Sequence, residues 1–253
     1  MSTLSILSLF GGVMLILYGM RLAGEGLQRA AGARLRSFLI TATSNRFKSL
    51  GAGAAITALL QSSSATTVML VGFVGSGLLG LGETMGVILG ADIGTTLTVQ
   101  IIAFRVYDYA IAVIGVGILM KYVGRRSPTK DLGQAILGFG FVFFALKILT
   151  ETFEPIARNP LWTEILLSLS RDPFAGIIVT ALLTALLHSS AATLGLAITF
   201  AHAGLLTLDS AMPIVLGANI GTSVSAIVSS FGANIDARRV ATAHVLFKVT
   251  GVV

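Results

Sequence analysis

The chain carries one stretch of its sequence twice. Displaced by 127 residues, Ala54–Phe104 aligns with Ala181–Phe231 without a gap, and about 22 of the 51 paired positions are identical. Thr57-Ala58-Leu59-Leu60-Gln61-Ser62-Ser63 falls on Thr184-Ala185-Leu186-Leu187-His188-Ser189-Ser190. Leu89-Gly90-Ala91-Asp92-Ile93-Gly94-Thr95 falls on Leu216-Gly217-Ala218-Asn219-Ile220-Gly221-Thr222. The same offset reaches outward more weakly, placing Gly11 on Gly138 and Lys121 with Gly124 on Lys248 with Gly251. The fold is therefore expected to be two copies of one unit, residues 1–126 and 128–253.

The solvent of that unit follows from its charges. Asp, Glu, Lys and Arg make up 11% of the chain and the mean hydropathy is +0.91, against about 25% charged residues in ordinary soluble domains. So few charges cannot cover a water-facing surface, which excludes a soluble globular enzyme. Cysteine is absent, which removes disulfide frameworks and thiolate metal sites. The net charge of +6 invites a nucleic-acid reading, but the 17 basic residues cluster between apolar runs, as cytoplasmic membrane loops do. The expectation is an all-α, multi-pass protein of the cell (plasma or inner) membrane, in contact with lipid and not with nucleic acid.

Within each copy the runs differ in kind. Met1–Met20 is uncharged and reads as a first transmembrane helix. It has no basic leader and no small-residue cleavage site, so a removed signal peptide is not expected. Residues Leu27, Leu35, Phe38 and Leu39 suit an interfacial amphipathic helix. Ser49–Gly82 is uncharged for 34 residues, about 51 Å as one helix, against a hydrocarbon core of about 30 Å. Its centre, Gln61-Ser62-Ser63-Ser64-Ala65-Thr66-Thr67, is also its most polar part. Two short helices meeting at a buried polar tip resolve both conflicts, so a re-entrant hairpin is expected at about 50–82 and again at about 174–208. Gly and Asp inside the next span read as a broken helix, at about 84–104 and about 210–231. Tyr109–Met120 and Leu132–Leu146 read as further crossings around a basic loop of Lys121, Arg125, Arg126 and Lys130.

Each unit thus holds about three crossings and one re-entrant hairpin, and an odd number of crossings inverts the second copy. The loop charges agree. Arg21–Lys48 carries six basic residues against Glu25, a net of +5. The corresponding Lys147–Asp172 carries Lys147, Arg158 and Arg171 against Glu151, Glu154, Glu164 and Asp172, a net of −1. Opposite bias in equivalent loops is what inverted halves require, with Arg125, Arg126, Arg238 and Arg239 inside and the N-terminus outside. The chain ends at Val253 within an apolar segment, compatible with a longer parent protein.

Two serine-rich tips and two interrupted spans converging at the midplane describe a secondary-transporter site. Helix N-termini at the tips favour an oxyanion, and hydroxyls add donors without fixed charge. The same hydroxyls, freed carbonyls and an amide oxygen from Gln61 or Asn219 suit Na⁺, and Asp92 is the acid placed well inside a span. For an isolated Ser/Thr cluster, hydrogen bonding between helices is the blander explanation; duplication beside paired Gly favours a site. His202 and His244 lack repeat partners and read as structural, and Glu83 and Asp209 read as helix-start acids. Trp162 suits an exterior interface belt. The many Gly-x-x-x-Gly spacings imply close helix packing and little else.

Gln61-Ser62-Ser63-Ser64, degraded to His188-Ser189-Ser190, with Gly-Ala-Asp-Ile-Gly-Thr-Thr and Gly-Ala-Asn-Ile-Gly-Thr-Ser downstream, resembles the type II sodium/phosphate cotransporter family over nearly the whole chain. The resemblance implies sodium-coupled movement of inorganic phosphate by alternating access. Phosphate would be held by Gln61, Ser62, Ser63, Ser64, His188, Ser189 and Ser190. Na⁺, the coupling ion, would be held by Gln61, Thr66, Thr67, Asp92, Thr95, Thr96, Thr193, Asn219, Thr222 and Ser223. No other cofactor and no transition metal is implied, and homo-oligomerisation stays open. His188 stands where the family has glutamine and Ala191 where it has a third serine. The second tip thereby loses an amide and a hydroxyl and gains an imidazole. A phosphate exporter or a proton-coupled oxyanion carrier is the alternative, followed by an anion channel. No paired acids or nucleophile–base set suggests an enzyme.

Overall fold

The computed structural model describes residues 3–31, 38, 41–42, 45–103, 106–157 and 172–252, and among these the regular elements are all helical. In chain order they are α1 Thr3–Ala31, α2 Arg46–Leu60, α3 Ser63–Gly75, α4 Leu81–Ala103, a short 3₁₀ turn at Val106–Tyr109, α5 Ala110–Val123, α6 Ser127–Ala157, α7 Pro173–Leu187, α8 Ser190–His202, α9 Leu208–Gly221, α10 Ser223–Ser229 and α11 Ile235–Thr250. Four stretches are long and apolar enough to cross a membrane: Thr3–Ala30, Leu81–Ala103, Ser127–Phe153 and Leu208–Ser229. The shorter α5 and α11 hold 14 and 16 residues. The molecule is an all-helical, polytopic membrane protein.

Ser49–Gly82 does fold as a hairpin. The side chain of Asn45 caps the start of α2 by accepting the N–H of Phe47 at 2.9 Å. Gln61 then turns left-handed (φ 54°), and Ser62 starts α3 by accepting the N–H of Ala65 at 3.1 Å. The arm ends where Leu78 donates to Phe73 O (2.9 Å) and Gly77 to Val74 O (3.0 Å). That closing turn requires the positive φ of Gly77, +72°, which glycine adopts without steric cost. The second hairpin repeats each step 127 residues later: Asp172 caps α7, His188 is left-handed (φ 49°), Ser189 accepts from Ala192, and Gly204 (φ +75°) closes α8. With arms of 13 to 15 residues, about 20–23 Å long, neither hairpin crosses a core of about 30 Å in one arm.

Inside each hairpin two threonines clasp the arms. Thr57 and Thr66 hydroxyls lie 2.8 Å apart, and Thr184 and Thr193 lie 2.9 Å apart. Thr66 spends its proton on Ser62 O (3.2 Å), so Thr57 is the donor within its pair, as Thr184 is in the other. All four are buried, and pairing them removes the penalty that unsatisfied hydroxyls would carry there.

Two sequence expectations are corrected. The first helix does not stop at Met20, because Glu25 bonds both Arg21 and Arg29 at 2.9 Å, so the helix carries its charges through to Ala31. Leu27 therefore belongs to α1, while Leu35 and Leu39 lie outside the described residues. So do Arg158, Trp162, Glu164 and Arg171. The second correction concerns the first broken helix, since α4 runs uninterrupted from Leu81 to Ala103. Its glycines serve close packing instead. A Cβ on Gly94 would lie 2.5 Å from Ala54 O and 2.8 Å from the Thr57 Cβ, and one on Gly90 would strike Leu50 O. Gly221 meets Ala181 O and the Thr184 Cβ in the same way at 2.5 and 2.6 Å. The interruption exists only in the second half, at Thr222 between α9 and α10. There Thr222 bonds back three residues to Asn219 O (2.7 Å), whereas its counterpart Thr95 bonds back four, to Ala91 O (3.0 Å). The shorter reach suits a tightened turn and the longer one a regular helix.

Packing interlocks the halves. Ile16, Met20, Val142, Leu146 and Leu149 of α1 and α6 form one core with Ala191 and Ala192 of α8. Ile56, Leu70, Val74, Val87 and Ile88 of the first hairpin and α4 form another with Ala237 and Val240 of α11. Each hairpin's second arm thus packs on a helix of the other half as well as on its own, α8 on α1 and α3 on α11. On its far face α1 exposes Leu4, Leu7, Phe10, Met14 and Tyr18 at helical spacing, a stripe suited to lipid.

Candidate functional site: the meeting of two hairpin tips

The two tips meet. Gln61–Ser64 from one and His188–Ala191 from the other line a cavity of about 20 Å³, with Thr95 of α4 as the remaining wall. Two larger cavities share residues with it and none with each other. One, of about 390 Å³, is lined by Arg21, Glu25 and Gln28 of α1 and by Gln61, Ser62, His188 and Ser189. The other, of about 490 Å³, is lined by Ser63, Ser190, Asp92, Thr95, Thr96, Asn219, Thr222 and Lys248. The tips form a thin polar partition between two vestibules.

The chemistry of the partition is that of opposed helix starts. Ser62 and Ser189 use their oxygens as N-caps, leaving each hydroxyl proton to donate. The first helical N–H groups, at Ser63 and Ser64 and at Ser190 and Ala191, lie in the turn where a helix supplies no acceptor. These donors and two helix dipoles converge on a space with anion-binding character. A void of this size holds about one water and is too small for a four-oxygen anion.

Gln61 and His188 occupy matching left-handed positions but behave differently. The Gln61 amide nitrogen donates to Ala58 O, which fixes the amide orientation, because an oxygen there would oppose the carbonyl. Its Oε1 is buried and finds no partner among the described residues, an acceptor suited to a cation or to a protonated oxygen. His188 is exposed, with Nδ1 3.3 Å from Ser225 Oγ. Non-glycine residues in this region carry strain, and strain of that kind concentrates at functional turns.

The residues expected to hold Na⁺ divide. Asp92, Thr95, Thr96, Asn219 and Thr222 line the larger vestibule beside Ser63 and Ser190. Thr66 and Thr193 are the buried clasps, Thr67 bonds to Ser63 O at 2.9 Å, and Ser223 bonds to Ile220 O at 2.6 Å; the structure does not bring these four to the vestibule. Sequence reasoning missed Lys248. It is 2% exposed, and its ammonium donates to the carboxylate of Asp92 and to the amide oxygen of Asn219. Its neighbour one turn back, His244, is buried, with an Nδ1 that has no partner among the described residues. The available signal was a lysine within the last apolar stretch, which the repeat offset matched to Lys121, expected in a basic loop but found in the last turn of α5. Glu83 acts as expected at the start of α4, accepting the N–H of Gly80 at 2.8 Å.

The family model described as Na⁺/Pi-cotransporter matches twice, over residues 15–151 and 148–253. The uncharacterized protein YqeW of Bacillus subtilis (strain 168) is 32% identical over 98% of this chain and 81% of its own length. The putative inorganic phosphate export protein YjbB of Escherichia coli (strain K12) is 32% identical over 98% of this chain, which spans 46% of that relative. The human sodium-dependent phosphate transport protein 2B is 30% identical over 38% of this chain and 14% of its own length. No solved structure matches. The chain belongs to the Na⁺/Pi-cotransporter family.

Proposed function

We propose that this chain is the transport unit of a sodium-coupled carrier for inorganic phosphate, working by alternating access between two inverted halves, and that it is not an enzyme. One observation carries the reading: two repeat-related serine tips meet at a small polar cavity that separates two vestibules. Phosphate is held between the opposed helix starts by Ser62, Ser63, Ser64, Ser189 and Ser190, with Gln61 and His188 at the left-handed corners. Parting of the tips toward one vestibule or the other exposes the anion to one side at a time. The phosphate transport named for the relatives supports the substrate, and the family description supports Na⁺ as the coupling ion.

A second reading, export, is favoured by the name of the YjbB relatives. The cycle is the same and the imposed gradients decide its direction. The test is radiolabelled phosphate flux in proteoliposomes, under an inward Na⁺ gradient or with choline in its place. Sodium-coupled uptake predicts accumulation with Na⁺ and little with choline. Flux indifferent to Na⁺ but following a pH gradient would contradict sodium coupling and leave phosphate transport standing.

A further inference from the structure

Asp92 and Asn219 are the same position of the two repeats, one carrying a carboxylate and the other an amide. In the fold their side-chain oxygens face one another closely enough to share a single ammonium, that of Lys248. That ammonium is almost wholly buried, whereas Asp92 is 26% exposed, toward the larger vestibule. The vestibule wall around it holds Thr95, Thr222, Ser63 and Ser190. An acid, an amide oxygen and threonine oxygens make a ligand set that a hard monovalent cation would take, and a cation is already there, tethered to α11. The ammonium carries the same single positive charge as Na⁺ and likewise accepts oxygen neighbours.

The geometry points to Lys248 as a built-in occupant of a cation site between the two repeats, a specificity-determining residue that excludes free Na⁺ from the Asp92–Asn219 pair. For its transport consequence this rests on the phosphate-carrier reading above; the site itself does not. Sodium coupling in this chain then runs through other oxygens, of which Gln61 Oε1, without a partner among the described residues, is one. The cycle takes up one Na⁺ fewer than its polar residues would otherwise provide for. Removing the lysine head while keeping Asp92 should open the site to Na⁺. Removing both charges should close it again.

The experiment measures thermal unfolding of the full chain in detergent, in NaCl or in choline chloride of equal concentration, for wild type, Lys248→Met and the double variant Asp92→Asn/Lys248→Met. The inference expects Lys248→Met to gain a Na⁺-specific rise of about 5 °C beyond any wild-type response, and the double variant to gain none. Equal Na⁺ responses in all three would overturn it. So would a Lys248→Met protein that stays unfolded in NaCl while the double variant folds, since Na⁺ then cannot replace the ammonium. In proteoliposomes the single variant should show a Na⁺ dependence of phosphate flux steeper by one ion. An unchanged slope beside normal flux sinks this inference alone, whereas absence of phosphate flux in wild type sinks the carrier reading and leaves the unfolding comparison intact.

Discussion

The two hairpins have one backbone and two chemistries. Both are capped, turned, clasped and closed by residues 127 positions apart, yet Gln61-Ser62-Ser63-Ser64 faces His188-Ser189-Ser190-Ala191. They are also covered unequally. The outer arm of the first, α2, buries Ser49, Ala52, Ile56, Thr57 and Leu60. The outer arm of the second, α7, buries only Thr180 and Thr184 and exposes Phe174, Ile178, Leu182 and Leu186. What the repeat preserves is therefore the mechanical frame: left-handed corner, serine cap, threonine clasp and glycine close. The side chains at the corner and at the end of each tip have diverged, so the halves share a geometry without sharing all of its chemistry.

If both tips are needed at once, filling either should be equally harmful. Ser63→Phe and Ser190→Phe are each expected to lower phosphate flux by at least about 100-fold, measured in proteoliposomes at matched protein levels. Wild-type flux in one variant would confine the site to a single tip. The frame should answer next. Gly94→Ala and Gly221→Ala push a methyl against a backbone carbonyl and a threonine, and each should cost about 2–3 kcal/mol, read by unfolding in detergent. A much smaller cost in the second half would mean that the more exposed α7 gives way where α2 cannot.

Smaller again, Thr57→Val and Thr184→Val each delete a buried donor to a partner hydroxyl and should cost about 1 kcal/mol. Nearly equal values would confirm that the clasps are equivalent despite their different tips. The next effect is of similar size and has the opposite sign. His188→Gly relieves a left-handed residue and should stabilise by about 1 kcal/mol. Gln61→Gly should stabilise less, because it also loses the bond to Ala58 O. Flux should separate the two more sharply, falling further for Gln61→Gly, which removes the buried Oε1.

The hairpins were legible in the sequence because the conflict between a long uncharged run and its polar centre has few solutions in a membrane. The repeat then made the second hairpin readable even where Gln61 had become His188. The glycines of α4 misled, because Gly90 and Gly94 serve equally well to break a helix and to let another approach, and only the position of α2 decides between them. Thr66 and Thr193 looked like ligands for a related reason: a hydroxyl beside a tip reads the same whether it faces the cavity or the opposite arm. Lys248 was hidden more deeply. Its partners lie 156 and 29 residues away in the chain, and its repeat partner Lys121 directed attention to loops. A long side chain reaching between helices leaves little trace in local pattern.

The central claim is that two tips build one site. It is tested most directly by equilibrium binding of radiolabelled phosphate to the purified chain in detergent. The account predicts one phosphate bound per chain, with binding lost in Ser63→Phe and lost equally in Ser190→Phe. Two phosphates per chain, or wild-type binding in either variant, would contradict it.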